Sequence, residues 1–119
     1  MQITEQDLAQ FYCTENYYRH WLGVLKMTDG AYYLNANGAK WLIDAIASYQ
    51  TRKLLQRPMW REFQVWELNV REDKAATLTG KEDSDRKPVV VQDIPYTDFP
   101  LPHIKLYLSE RVLMLASEY

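Results

Sequence analysis

A chain of 119 residues with 47% apolar and 25% charged residues has the length and proportions of one packed domain, which excludes a disordered or low-complexity chain. Lys and Arg number 14 against 16 Asp and Glu, a net charge of −2, so no broad positive field draws in phosphate backbones and nucleic acid is not the expected partner. Cys13 is the only cysteine, which excludes an internal disulfide and suits a reducing compartment.

The opening stretch Met1-Gln2-Ile3-Thr4-Glu5-Gln6-Asp7 is polar and acidic, without the basic region and apolar run of a signal peptide. No apolar run approaches the ~20 residues needed to cross a bilayer. A cytoplasmic chain with no membrane segment is the expectation. Thr4 then announces a first helix: its hydroxyl can accept from the N–H of Asp7, Ile3 can staple onto Leu8, and Leu8, Phe11 and Tyr12 fall on one side. Thr14 offers a second cap, with Tyr18, Trp21, Leu22 and Leu25 at helical spacing, although Tyr17-Tyr18-Arg19-His20-Trp21 also reads as a strand. Thr28-Asp29-Gly30 and Asn37-Gly38 bracket a short helix. The main helix is expected over residues 39 to 55, where Leu42, Ala45, Ile46 and Tyr49 form a stripe that Trp41 widens, and Pro58 forbids its continuation.

After Pro58 the hydrophobic period drops from near four to two. Trp66, Leu68 and Val70 alternate with Val65, Glu67 and Asn69, and further strand patterns follow at 75 to 81, 89 to 96, 104 to 108 and 112 to 116. The polar run at 81 to 88 separates two of them as a hairpin loop, and Pro95, Pro100 and Pro102 interrupt the ladder. Helices followed by consecutive strands predict an α+β fold, with N-terminal helices packed on a C-terminal antiparallel meander sheet of about five strands.

Four segments carry a resemblance: Tyr17-Tyr18-Arg19-His20-Trp21, Trp41-Leu42-Ile43-Asp44-Ala45-Ile46-Ala47-Ser48, Tyr96-Thr97-Asp98-Phe99-Pro100-Leu101-Pro102 and the terminal Ser117-Glu118-Tyr119. Over nearly its whole length the chain resembles a family of small bacterial proteins described only as a domain of unknown function. The resemblance implies a bacterial, cytosolic protein and supplies no activity, ligand or catalytic residue.

Candidate chemistry is sparse. His20 and His103 are the only histidines, and neither has His or Cys at ligand spacing, so no metal is expected. Cys13 beside Tyr12 reads as a small buried hydrophobe. Phosphate-loop, dinucleotide and nucleophile-elbow motifs are missing, and no cofactor is expected. Arg52, Lys53, Arg57 and Arg61 cluster around the end of the main helix with Trp60 interleaved, either as solvated charges at a helix end or as an anion or nucleic-acid contact with Trp60 as a stacking surface. The proline-rigid segment at 96 to 102 either shapes a connection or presents Tyr96, Asp98 and Phe99 as a wall of a groove. Nine tyrosines with Trp21, Trp41, Trp60 and Trp66 exceed what a small core needs and point to a protein partner or a second copy, such as a homodimer. The leading expectation is a non-catalytic binding or regulatory protein. The alternative is a small hydrolase-like enzyme, with His20 as general base, Arg19 holding an anion and Asp29, Asp44 or Asp98 converging on them.

Overall fold

In the computed structural model, which describes residues 3–119, Thr4 is extended and caps helix α1 (Glu5–Ala9). Its hydroxyl accepts from Asp7 N at 3.0 Å and the Asp7 carboxylate accepts from Thr4 N at 3.2 Å, a reciprocal box that satisfies two otherwise orphan donors. Met1 and Gln2 of the polar opening stretch lie outside the described residues. The helix ends sooner than the apolar spacing suggests, and Tyr12 is 75% exposed rather than packed beside Leu8 and Phe11.

The helix expected after Thr14 is replaced by a hairpin. Thr14 donates to Asn16 O and accepts from Asp29 N, which fixes a loop, and β1 (Tyr18–Arg19) turns at Gly23 (φ +74°) into β2 (Lys26–Met27). A helix here would have to bury Trp21 and Leu22; both are exposed. The strand reading of the aromatic run therefore prevails, consistent with the preference of aromatic side chains for extended backbone.

Thr28 caps α2 (Asp29–Ala36) through Ala31 N. The next helix, α3 (Lys40–Ser48), stops well short of residue 55. Ser48 Oγ donates to Ala45 O, and the Gln50 amide turns back to Ile46 O, so side chains take up carbonyls that a longer helix would use. Pro58 opens the short α4 (Pro58–Glu62) rather than closing a helix, since the first turn needs no N–H from it.

Five strands follow: β3 (Phe63–Val70), β4 (Ala76–Lys81), β5 (Val90–Ile94), β6 (His103–Ser109) and β7 (Val112–Leu115). With the N-terminal hairpin they make a seven-stranded sheet in the order β1-β2-β7-β6-β3-β4-β5. The α+β class holds, but two expectations are corrected. Seven strands replace five because β1 and β2 come from the first half. The second half is not a simple meander, because β6 returns to pair with β3 on the side away from β4. The proline segment makes that crossing, anchored where Thr97 N donates to Lys74 O and Val70 N donates to Pro102 O, each at 2.8 Å. All pairings are antiparallel except β2 with β7, where Met27 faces Leu113.

Helices and sheet share one core. Leu34, Leu42, Ile43 and Ile46 from α2 and α3 are fully buried together with Trp66, Leu68, Leu78, Leu106 and Leu113 from the strands. Each such side chain contributes about 1.5–3 kcal/mol by leaving water. The last residues lock onto the same layer. Glu118 accepts from Thr28 Oγ1 at 2.7 Å, Gly30 N at 3.0 Å and Leu115 N at 2.9 Å, placing a carboxylate at the positive N-terminal end of α2.

Candidate functional site

A concentration of unpaired basic charge lies where the β1–β2 hairpin meets the β6–β7 turn. Arg19 and Lys26 are directly opposed across β1 and β2, a like-charge pairing that destabilises a ladder. Arg111 joins them from the β6–β7 turn, and the three line a cavity of about 580 Å³ whose one acidic group is Glu110. Among the described residues none of the three cations is salt-bridged.

Arg111 is held there at a cost. Glu110 (φ 49°) and Arg111 (φ 72°) form a two-residue hairpin with positive φ at both positions, a geometry that ordinarily selects Asn-Gly. Side chains in the left-handed region cost about 1–3 kcal/mol each. The guanidinium is half-buried and donates to Val24 O through Nη2 and to Gln50 Oε1 through Nη1 at 3.3 Å. Gln50 in turn exchanges amide hydrogen bonds with Gln64 at 2.8 and 2.9 Å, and Gln64 Oε1 accepts from Trp66 Nε1. A buried polar network therefore aims Arg111, yet its acceptors are all neutral. Burial without a carboxylate lowers its pKa, the sign of a cation lacking compensation. Two of its N–H groups are used in this way, and a guanidinium has five.

The hydrolase-like set does not assemble. His20 is 2% exposed; its Nε2 lies 2.7 Å from Asp44 Oδ1, and its Nδ1 accepts from Leu22 N at 3.2 Å. With Nδ1 occupied as an acceptor, the proton sits on Nε2 and goes to Asp44, leaving no lone pair for a general base. Asp44 also accepts from Trp21 Nε1 at 2.9 Å and Lys40 Nζ at 2.8 Å. Burial pushes its carboxyl up, but the donors Lys40, Trp21 and His20 together outweigh that and hold it below its ordinary value. This cluster ties the aromatic segment of β1 to α3. Asp98 lies elsewhere, exposed beside Tyr96 in a shallow concavity backed by Trp41, and Asp29 lines a different groove. Of the proposed enzyme residues, only Arg19 belongs to the basic cavity. His103 pairs with Glu67 at 2.9 Å on the exposed side of β6.

The binding candidates separate in the same way. Trp60 is fully buried with its ring edge-on to Trp66, so it is core and not a stacking surface. Phe99 is 1% exposed and anchors the crossing segment instead of facing a groove. Arg57 donates from Nε and Nη2 to Glu82 at 3.0 and 2.9 Å, which neutralises it, while Arg52, Lys53 and Arg61 remain exposed. Cys13 is exposed rather than buried, because α1 ends before it.

Arg57 lowers the pKa of Glu82, and burial opposes this without reversing it. A depressed carboxyl pKa contributes stability that is present above the unfolded value and lost as pH falls through the folded one. Urea unfolding is accordingly expected to show stability falling below pH ~4, where carboxylates ordinarily titrate. Glu82→Gln should be less stable at neutral pH and show a shallower acid dependence; an unchanged slope would remove this pair as a contributor.

Lys26, Arg111 and Gln50 were not legible as a site in the sequence. The available signal was Glu110-Arg111 filling a two-residue turn between alternating apolar strands, where Gly or Asn belongs.

A family model described as a family of unknown function (DUF6876) matches residues 2–119, and the chain belongs to that family. No curated protein and no solved structure matches the chain. Among the described residues no helix is long and apolar enough to cross a membrane, and no group of His, Cys, Asp and Glu is arranged to hold a metal ion.

Proposed function

We propose that this DUF6876 protein is a non-catalytic binding protein that holds an oxyanion, a phosphate or a carboxylate, between Arg19, Lys26 and Arg111. The observation that carries the reading is Arg111, a half-buried guanidinium aimed by a core amide network and, among the described residues, left without a salt-bridged negative partner. An anion would satisfy its remaining donors and screen the opposed Arg19 and Lys26. His20, locked to Asp44, supports binding rather than proton transfer. The resemblance in the sequence and the lone Cys13 support a bacterial, cytoplasmic setting.

The same chemistry is carried by a small phosphorylated ligand, by an acidic segment of a partner protein and by a second copy of this acidic chain. Calorimetry with inorganic pyrophosphate and with a Glu-rich peptide, alongside light scattering, separates these sources. Pyrophosphate or peptide is expected to bind at low salt, with affinity falling as NaCl rises. Arg19→Ala should weaken binding about 10-fold, the value of one charge-assisted hydrogen bond. Absence of binding by both probes at low ionic strength in a monomeric protein, or equal affinity in the Arg19→Ala/Lys26→Ala double variant, would overturn the proposal.

A further inference from the structure

A second cavity, of opposite character, lies on the other side of the same hairpin. Successive residues of a strand point to opposite faces, so Tyr18 contributes here while its neighbour Arg19 lines the basic cavity. The space is about 500 Å³ and carries the rings of Phe11, Tyr12, Tyr18, Tyr32 and Tyr33. Tyr18 and Tyr32 stack with centroids 4.0 Å apart and planes 12° from parallel, and Phe11 and Tyr33 pack at 5.3 Å. Face-to-face stacking sets two electron-rich surfaces against each other, an arrangement less favourable than offset or edge-on contact and eased by nearby positive charge.

The charged lining is entirely acidic. Among the described residues Asp29 and Glu15 are present and no Lys, Arg or His is. Asp29 accepts from Glu15 N at 2.9 Å and from the Tyr18 hydroxyl at 3.1 Å. These neutral donors keep it ionised without cancelling its charge, with the Glu15 N–H the largest influence holding its pKa low. Aromatic faces around a carboxylate that no basic side chain pairs with among the described residues favour a cation too large and too weakly hydrated to prefer water, whereas a small metal ion would need oxygen ligands that the rings do not supply.

We infer that this tyrosine-lined groove binds an alkylated ammonium group through the faces of its rings and the Asp29 carboxylate. The site is independent of the basic cavity and does not require an anion there.

Tetramethylammonium, with tert-butyl alcohol as an uncharged control of similar shape, separates cation recognition from simple apolar filling. Two readouts report on the groove: tyrosine ring shifts by NMR and the rate at which iodoacetamide alkylates Cys13, the only thiol, which sits in its lining. The cation is expected to shift Tyr18 and Tyr32 and to slow alkylation, binding about 10-fold more tightly than the alcohol, the ratio expected of one or two cation–π contacts. Tyr32→Leu, at an exposed position, should abolish that preference, and Glu15→Gln should weaken it. Equal response to cation and alcohol, no response of either readout to the cation, or undiminished cation binding by folded Tyr32→Leu would each overturn the inference.

Discussion

Replacing Gly80 with Ala is expected to destabilise the protein by about 3 kcal/mol, the upper part of the range for overpacking a core, and to lower Tm by about 10 °C. Ala ordinarily stabilises a strand interior over Gly by about 0.5–1 kcal/mol, so the expected sign runs against the intrinsic preference. The reason is contact. A Cβ on Gly80 would lie 2.8 Å from Trp60 Cη2 and 2.8 Å from Trp66 Cη2. Both rings are fully buried, and Trp66 is further held by its hydrogen bond to Gln64, so neither can swing away. Thermal unfolding of Gly80→Ala checks this directly. In a Trp60→Leu background the same substitution should lose part of its cost, because one of the two rings that meet the new methyl is gone while Trp66 remains. A neutral or stabilising Gly80→Ala in the unaltered protein would mean that these rings do not cover β4.

Gly30 and Glu118 are expected to be strongly coupled, so that the cost of one substitution falls when the other has been made. A Cβ at Gly30 would overlap Glu118 Oε1 and approach Leu115 Cδ1 to 2.7 Å. The carboxylate can move, but only by abandoning its bonds from Thr28, Gly30 and Leu115. Hydrogen bonds to a charged group are worth about 1.5–3 kcal/mol each, so Gly30→Ala should cost about 2–3 kcal/mol after the helix preference of Ala is credited. With Glu118→Ala already made, Gly30→Ala should cost clearly less, because only the contact with Leu115 Cδ1 then opposes the helix preference of Ala. Denaturant unfolding of the four proteins in this cycle gives the coupling. Additive effects would show that the terminal clasp does not form.

Much of this architecture was legible because it follows from local rhythm. Thr4 followed by Asp7, Thr28 before Asp29-Gly30, and the change of period after Pro58 each carry their cause within a few residues. The failures have a different origin. The strands β1 and β2 have two residues each, too few to show any period, and they exist because β7 offers an edge that lies far along the chain. The shortened α3 depends on Gln50 reaching both Ile46 O and Gln64, and the second contact belongs to tertiary structure.

The candidate site was legible only in part. The sequence points to Arg19 as an anion holder, but for a partnership with His20 that the Asp44 and Leu22 bonds prevent. Trp60 and Arg57 looked like surface features because they flank a helix end. Burial against Trp66 and pairing with Glu82 respectively remove them. Charges become a site when distant segments bring them together, and residues 19, 26 and 111 have no proximity in the sequence. The aromatic surplus does exceed the core, since Tyr12, Tyr17, Trp21, Tyr32 and Tyr96 are exposed.

The most direct test of the anion-holding claim is thermal stability measured against pyrophosphate at constant ionic strength, in the unaltered protein and in Lys26→Ala. Removing one member of an opposed like-charge pair should raise Tm without anion, while flattening the rise that pyrophosphate produces in the unaltered protein. The two curves are then expected to converge or cross. A Lys26→Ala protein less stable without anion, together with an undiminished response to pyrophosphate, would contradict the account.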